Sequence, residues 1–495
     1  MAKNKTDIEQ GKSQLRLILR PLGIPLVGEG VAMALCVVPA LLFGDGTALW
    51  VALAAAITIV TGVLLLLLPS KESDGIDKRK SYFTVTLMWV VLALFGTLPF
   101  LFTRSVGSFT DAFFESLSGL TSTGATIFPD VGSLPASLLL WRSMTQWLGG
   151  FGIIMLVLAV VPSLGMNKYS LYTAEVSSAD NTGKTTTSMR AMVRQTLSIY
   201  CILTALFIVL LLLSGMTLWE AVNLTFTNIS TGGFSIYSDS IASFTPQQQY
   251  ILAASMFMGG INFALLYNFF TFKWSKINRK LDQFGFYFVM VVLSTTFVVL
   301  ALHFNGGAEW SSALRDGIVQ TVSVVTTTGS IVADTNLWWT PIVYLFLVLS
   351  LCGGMAGSTT GGVKVMRVLI LFRNVRNTLS NRLHPHSYNP VRLNGKPVPE
   401  EIVTNVMVIF MVYAVTVLLG VLLLMLCGVG ATESLGAAFG CITSYGPGLG
   451  TCGGFGSYAG FPLAAKWICS AMILLGRLEC LTVLIIFLPG FWRNR

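Results

Sequence analysis

Four short segments of this chain share one pattern of glycine and small hydroxyl-bearing residues. They read Leu120-Thr-Ser-Thr-Gly124-Ala-Thr, Asn228-Ile-Ser-Thr-Gly232-Gly-Phe, Val325-Thr-Thr-Thr-Gly329-Ser-Ile and Thr443-Ser-Tyr-Gly446-Pro-Gly448-Leu-Gly450. An acid (Asp111, Glu220, Asp316 or Glu433) stands 13, 12, 13 and 13 residues before the central glycines, with a weakly apolar stretch between. Such a stretch reads as a half-helix, its acid near the positive end of the dipole and its carbonyl end pointing inward. The residues beyond that end offer backbone carbonyls, which can replace a cation's water shell. Glycine admits backbone angles that other residues resist, and Thr and Ser tie such loops down by hydrogen bonds. Four carbonyl ends aimed at one axis would hold a dehydrated monovalent cation. The expected filter residues are Thr123 and Gly124, Thr231 and Gly232, Thr328 and Gly329, and Tyr445 and Gly446. Flanking them are Ser122 and Ala125, Ser230 and Gly233, Thr327 and Ser330, and Ser444 and Pro447.

Two further features point to the same path. The run Cys352-Gly-Gly-Met-Ala-Gly-Ser-Thr-Thr-Gly-Gly-Val-Lys364 carries five glycines and interrupts an apolar stretch. Glycine is a poor helix former, so the run predicts an intramembrane loop below the third glycine segment. Gly353, Gly354, Gly357, Ser358, Thr359, Thr360, Gly361 and Gly362 are the candidate gate, the alternative being a close-packed interface between helices. Arg477 lies near the middle of the last apolar stretch. A charge at that depth is costly and functional by default. It is expected to act as a positive barrier in the path, satisfied by carbonyls of the Gly-rich run. Glu479, two residues on, points to another helix face. Glu29, in the first apolar stretch, reads as an interfacial or packing residue.

Other chemistries find no support. The three histidines, 303, 384 and 386, form no acid/base or metal constellation, which counts against an enzyme. The eight cysteines are scattered without a CxxC pair and read as buried structural thiols. There is no GxxxxGK[ST] loop and no GxGxxG signature, so the chain itself has no expected nucleotide site or cofactor. A secondary transporter with ion coupling and alternating access would need carboxylates within the membrane. Apart from Glu29 and Glu479 the apolar stretches have none.

These segments must be positioned by membrane helices. Hydrophobic residues make up 54% of the 495 and charged residues 11%, against about 25% charged in a soluble domain. Stretches long enough to span a bilayer fall at 22–43, 48–69, 82–103, 138–162, 193–214, 250–272, 286–304, 341–372, 404–427 and 464–489. With the N-terminus inside, 26 of the 31 Lys and Arg fall in inner loops and four in outer ones. That bias predicts both termini cytoplasmic. The net charge of +9 is therefore spread over cytoplasmic loops facing lipid or a cytoplasmic partner, not nucleic acid. Ten acids on the outer face would concentrate cations there. Each glycine segment lies between two full spans, which predicts an all-α integral membrane protein. Four pseudo-symmetric helix–pore-helix–loop–helix repeats surround one pore, preceded by a transmembrane hairpin. The expected units are a cytoplasmic N-terminus (1–21), the hairpin with its loop (22–81), and repeats at 82–192, 193–285, 286–403 and 404–495.

With these motifs the chain resembles the TrkH/TrkG/KtrB superfamily of potassium transporters. Also matching are Gln146-Trp-Leu-Gly-Gly-Phe-Gly-Ile153, the 353–364 run, Arg477 and the ending Pro489-Gly-Phe-Trp-Arg493. The extra hairpin resembles the TrkH branch. The resemblance implies a potassium uptake subunit of a bacterial inner membrane that passes K+, and also Rb+. It implies a homodimer with one pore per protomer. A cytoplasmic ring of TrkA-like RCK subunits would bind the nucleotide and control opening. It also implies that the 353–362 loop and Arg477 form the gate, and that glycine at all four filter positions favours K+ over Na+. The alternative is a K+ transporter coupled to Na+ or H+.

Overall fold

In a hydrocarbon layer backbone groups have no water to pair with, so a chain this apolar must satisfy them within helices. The computed structural model describes residues 16, 18–68, 78–163, 189–272, 281–384 and 389–492, with backbone alone at 78–81, 151, 153–163 and 189–192. Almost all of the expected cytoplasmic N-terminus lies outside the described residues, as do His386, Arg493 and much of the basic loops at 70–81, 163–194 and 273–285.

Each of the ten apolar stretches contains helix, the eighth interrupted by the Gly-rich run between Cys352 and Val365. Six described helices are long and apolar enough to cross a membrane, and up to eight if two bent pairs are each one span. The N-terminal hairpin consists of α1 (Gly23–Leu35), α2 (Val37–Phe43) and α3 (Ala48–Leu66). Small residues let its arms approach: a Cβ on Gly30 would lie 2.6 Å from the Ile59 side chain, and one on Gly62 2.8 Å from Val27. Asp45, in the turn, accepts hydrogen bonds from the Thr47 amide (3.0 Å), the Thr47 hydroxyl (2.6 Å) and the Ser137 amide (3.1 Å). Burial pushes its carboxyl up, but the bonds from Thr47 and Ser137 outweigh that and hold it below the usual range.

Four units follow. The first has α4 (Lys78–Gly96), α5 (Leu98–Phe102), the half-helix α6 (Phe109–Leu120) and α7 (Ala136–Ser163). The second has α8 (Met189–Leu213), the half-helix α9 (Leu218–Ile229), α10 (Pro246–Gly259) and α11 (Phe263–Phe270). The third has α12 (Leu281–Phe304), the half-helix α13 (Trp310–Val325), α14 (Thr340–Cys352) and α15 (Val365–Leu383). A short antiparallel ribbon, β1 (Arg392–Leu393) with β2 (Lys396–Pro397), leads into the fourth. That unit has α16 (Glu400–Leu426), the half-helix α17 (Ala431–Ile442), α18 (Leu463–Arg477), α19 (Leu481–Leu484) and α20 (Pro489–Trp492).

The stretches at 250–272 and 464–489 are not the simple spans that apolarity predicts. The first bends by 107° between α10 and α11, the second by 108° after Arg477. At the first bend Asn262 caps α11, its side-chain oxygen accepting from the Leu265 amide at 3.1 Å. At the second, Glu479 and Cys480 adopt left-handed φ of 58° and 50°. Five cysteines are buried as expected, but Cys201 is exposed.

The units close on one another. The second span of each packs on the half-helix of the next: α7 on α9, α10 on α13, α14 on α17, and α18 on α6. Within three units a glycine lets that span touch the carbonyl end of its own half-helix. A Cβ on Gly149 would meet the Leu120 carbonyl, one on Gly476 the Ile442 carbonyl, and one on Gly259 would lie 2.8 Å from the Ile229 oxygen.

Overpacking of this kind costs about 1–3 kcal/mol or more. Gly476→Val should therefore lower the unfolding temperature of the detergent-solubilised protein. Gly28→Ala, where an added Cβ meets nothing within 4 Å, should not. Equal melting of the two variants would contradict the close approach.

Candidate functional site

Each half-helix ends in the same backbone figure. The second residue beyond it is left-handed (Ser122, Thr231, Thr327 and Ser444, φ 51–55°), and so is the fourth (Gly124, Gly233, Gly329 and Gly446, φ 75–91°). The amide of the third donates to the carbonyl five residues back: Thr123 to Ser118, Gly232 to Thr227, Thr328 to Ser323 and Tyr445 to Gly440, at 2.8–3.1 Å. This corrects the register of the second loop. Gly233, not Gly232, is the counterpart of Gly124, and Gly232 takes the station of Thr123. The signal was in the sequence: from Glu220 to Gly233 is 13 residues, the spacing of the other three loops.

In this register the loops form a ring. A Cβ on Gly124 would meet the Gly232 carbonyl oxygen, one on Gly233 that of Thr328, one on Gly329 that of Tyr445, and one on Gly446 that of Thr123. Each left-handed glycine thus abuts the third-station carbonyl of a neighbouring loop, all the way round. Four carbonyls at equivalent stations can coordinate a dehydrated monovalent cation. Outside them opens a vestibule of about 570 Å3, its mouth included, lined by Gly124, Gly233, Gly329, Gly446, Arg142 and Tyr458 among others.

Side chains behind the ring hold the loops. Glu115 is paired with Arg142 at 2.7 Å, both buried. Glu115 also accepts from the Ile127 amide (2.9 Å) and the Thr126 hydroxyl (3.1 Å). Arg142 donates to the Ser235 carbonyl at 2.9 Å and lies 4.1 Å from the centre of the Phe234 ring. The pair thereby ties the first loop to the second. In the third unit Gln320 does the work of Glu115, accepting from the Val332 amide at 3.1 Å. The Tyr458 hydroxyl donates to the Gly446 carbonyl at 2.8 Å.

The expected outer acidic surface is largely spoken for. Asp111 pairs with Lys466 (2.6 Å), Asp316 with Arg315 (2.7 Å) and Glu115 with Arg142, which engages three of the four outer bases. Glu220 closes a capping box with Thr217 and accepts from the Tyr237 hydroxyl at 2.7 Å. Burial raises the Glu220 carboxyl, but the bonds from Thr217 and Tyr237 outweigh it and the net shift is downward. The same bond, with burial, pushes Tyr237 up to about 12.

The Gly-rich run is a loop, as expected. Gly353, Gly357 and Gly362 have φ of 65°, 76° and 71°. Gly354 donates its amide to the Thr360 hydroxyl (3.1 Å), and the Ser358 and Thr360 hydroxyls bond at 2.8 Å. The loop is pressed against the bend in the second unit: the Met355 amide donates to the Gly260 carbonyl at 2.9 Å, and Asn262 to the Ala356 carbonyl at 2.5 Å. It also reaches the second-station residues. Thr231 donates to the Thr359 hydroxyl (3.2 Å), the Gly361 amide donates to the Thr327 hydroxyl (2.7 Å), and a Cβ on Gly361 would lie 2.7 Å from that of Ser444. Arg477, 5% exposed, donates to the Thr359 carbonyl and the Gly149 carbonyl, both at 3.1 Å.

Several of these residues are not evident as site residues in the sequence. Glu479 has its partner in Arg367, 2.7 Å away and 112 residues distant in the chain, across the far end of the loop. Arg142 and Glu115, assigned to outer loops by charge counting, are buried. Glu29 is buried too, packed near Gly96 and Ser116, and its carboxylate oxygens have no hydrogen-bond partner among the described residues.

Comparison with known proteins gives a consistent picture. A family model, TrkH, described as "Cation transport protein", matches residues 50–493. The Trk system potassium uptake protein TrkH of Halomonas elongata is 32% identical over 486 residues, 97% of this chain and 100% of the relative. The protein of the same name from Escherichia coli is 33% identical over 488 residues, 97% and 99% of the two chains. The crystal structure of the potassium transporter TrkH from Vibrio parahaemolyticus superposes with a TM-score of 0.87 at 30% identity, covering 97% of this chain and 100% of the other.

Removing one partner of a buried ion pair costs about 3–5 kcal/mol, because the other charge is left uncompensated. Arg142→Met should therefore lower the unfolding temperature markedly, and combining it with Glu115→Gln should recover most of the loss. If the double variant melts no higher than the single one, the pair is not what joins the first two loops.

Proposed function

The chain belongs to the TrkH family of cation transport proteins, and we propose that it is the pore-forming potassium uptake subunit of a bacterial inner membrane. The observation that carries this reading is the ring of four third-station carbonyls, each backed by the left-handed glycine of a neighbouring loop. The protein is a membrane transporter and not an enzyme.

In this mechanism K+ sheds water in the vestibule and passes between the carbonyls of Thr123, Gly232, Thr328 and Tyr445. Gly124, Gly233, Gly329 and Gly446 keep the loops close enough to act on one ion. Rb+, similar in size, follows the same path. Below the ring, the 353–362 loop obstructs the exit through its bonds to Thr231 and Thr327. Arg477 holds that loop by the Thr359 carbonyl and adds a positive charge that a cation must pass. Opening requires the loop to leave both hydroxyls and the guanidinium.

The repeats run over 82–192, 193–285, 286–403 and 404–495, with both termini cytoplasmic. The functional unit is a homodimer with one pore in each protomer. A ring of TrkA-like RCK subunits binds the nucleotide and docks on the basic cytoplasmic surface. There α15 presents Arg376 and Arg382, and Arg373 is held by Asp282 at 2.7 Å. The coupled-transporter alternative has few carboxylates to use: Glu479 is engaged by Arg367, and Glu29 packs beside Gly96.

Uptake of radiolabelled Rb+ into proteoliposomes tests the reading, with K+, Na+ and Li+ as competitors and the nucleotide-binding ring added. Block by K+ and indifference to Na+ is the expected result, and Arg477→Ala should raise the flux. Uptake equally sensitive to Na+ would overturn the selective pore. Unchanged or lower flux in a folded Arg477→Ala protein would remove the barrier role.

A further inference from the structure

We infer that Gln146 is a positioning residue for cation selectivity, standing in for a side chain that the second loop lacks. The inference rests on the potassium-pore reading above. Three of the four third-station residues carry side chains, Thr123, Thr328 and Tyr445, while the fourth is Gly232. The backbone does not demand glycine there, since Gly232 is absent from the positive-φ glycines. What excludes a side chain is Gln146: a Cβ on Gly232 would lie 2.5 Å from its Oε1 and 2.8 Å from its Nε2.

The fully buried Gln146 amide makes two directed bonds to this loop. Its Nε2 donates to the Gly232 carbonyl at 2.8 Å, and its Oε1 accepts from the Phe234 amide at 3.0 Å. The Phe234 N–H can only donate, which fixes Oε1 toward it and leaves Nε2 for the carbonyl. The backbone carbonyl of Gln146 accepts from the Ser122 hydroxyl of the first loop at 3.2 Å. One residue therefore grips two adjacent loops of the ring, and it holds a third-station carbonyl itself. Arg142, one turn earlier on the same face of α7, grips the same two loops further out.

Two of the other three spans show the reciprocal pattern. Gln146 stands three residues before Gly149, the glycine that abuts its half-helix. Three residues before Gly259 and Gly476 stand Met256 and Ile473. Their helices pack on the units whose loops carry Thr328 and Thr123. At this position the span packed on the unit with Gly232 carries a polar residue, and the spans packed on the units with Thr328 and Thr123 carry apolar ones. Without the Gln146 amide the Gly232 carbonyl loses its tether, the Phe234 N–H is left buried and unpaired, and the cage can change size.

The test is competition of K+ and Na+ against Rb+ uptake in proteoliposomes, with wild type in parallel. Gln146→Met, which keeps the bulk and loses both bonds, should reduce K+ over Na+ discrimination about tenfold, equivalent to about 1.4 kcal/mol. Gln146→Ala should do the same. Gln146→Ala combined with Gly232→Thr, which restores to the second loop the residue of the first and third, should recover most of the discrimination. A matching elution profile in size-exclusion chromatography keeps misfolding apart from lost selectivity. Wild-type discrimination in Gln146→Met, or a double variant no better than Gln146→Ala, would overturn the inference. Wild type that itself fails to prefer K+ would instead overturn the potassium reading beneath it.

Discussion

Four carbonyls can face one ion only if nothing wedges their loops apart. The close approach of each left-handed glycine to a neighbouring loop's carbonyl is the contact on which the rest of the structure depends. A methyl group at any of the four positions would overlap an oxygen and open the ring. The half-helices that deliver the loops, the spans that pack on the next unit, and the glycines at 149, 259 and 476 all serve this spacing. The ion pair of Glu115 with Arg142 and the amides of Gln146 and Gln320 then lock loops that glycine alone would leave mobile.

The same ring explains where the Gly-rich loop lies. The second-station hydroxyls of Thr231 and Thr327 bond to the Gly-rich loop, so the proposed filter and the proposed gate share these contacts. Movement of that loop must break hydrogen bonds made by the second and third glycine loops. Arg477 reaches the Gly-rich loop at Thr359 and the first unit at Gly149. Two of its nitrogens are thereby held by carbonyls from two separate units, which offsets part of the cost of placing a guanidinium at this depth.

Much of this was legible in the sequence. Apolar length located the helices, the repeated Gly segments located the ring, and the density of glycine in 353–362 foretold a loop. What escaped were features set by tertiary contact. The bends after Gly259 and Arg477 look continuous to any hydropathy window. Glu115 and Arg142 count as outer charges until the fold buries them against each other. The Ser-Thr-Gly triplet of the second loop imitates that of the first and points one residue out of register. The constant 13-residue distance from the acid was the better guide, because it reflects the length of the half-helix. Gln146 stood in a recognised motif, yet its partner Gly232 lies 86 residues away and no local pattern announces the pairing.

The central claim is most directly tested by anomalous diffraction from crystals grown in Rb+. A peak on the axis, within coordination distance of the carbonyl oxygens of Thr123, Gly232, Thr328 and Tyr445, is the predicted result. Rb+ bound elsewhere, with those four oxygens turned away from the axis, would contradict the account.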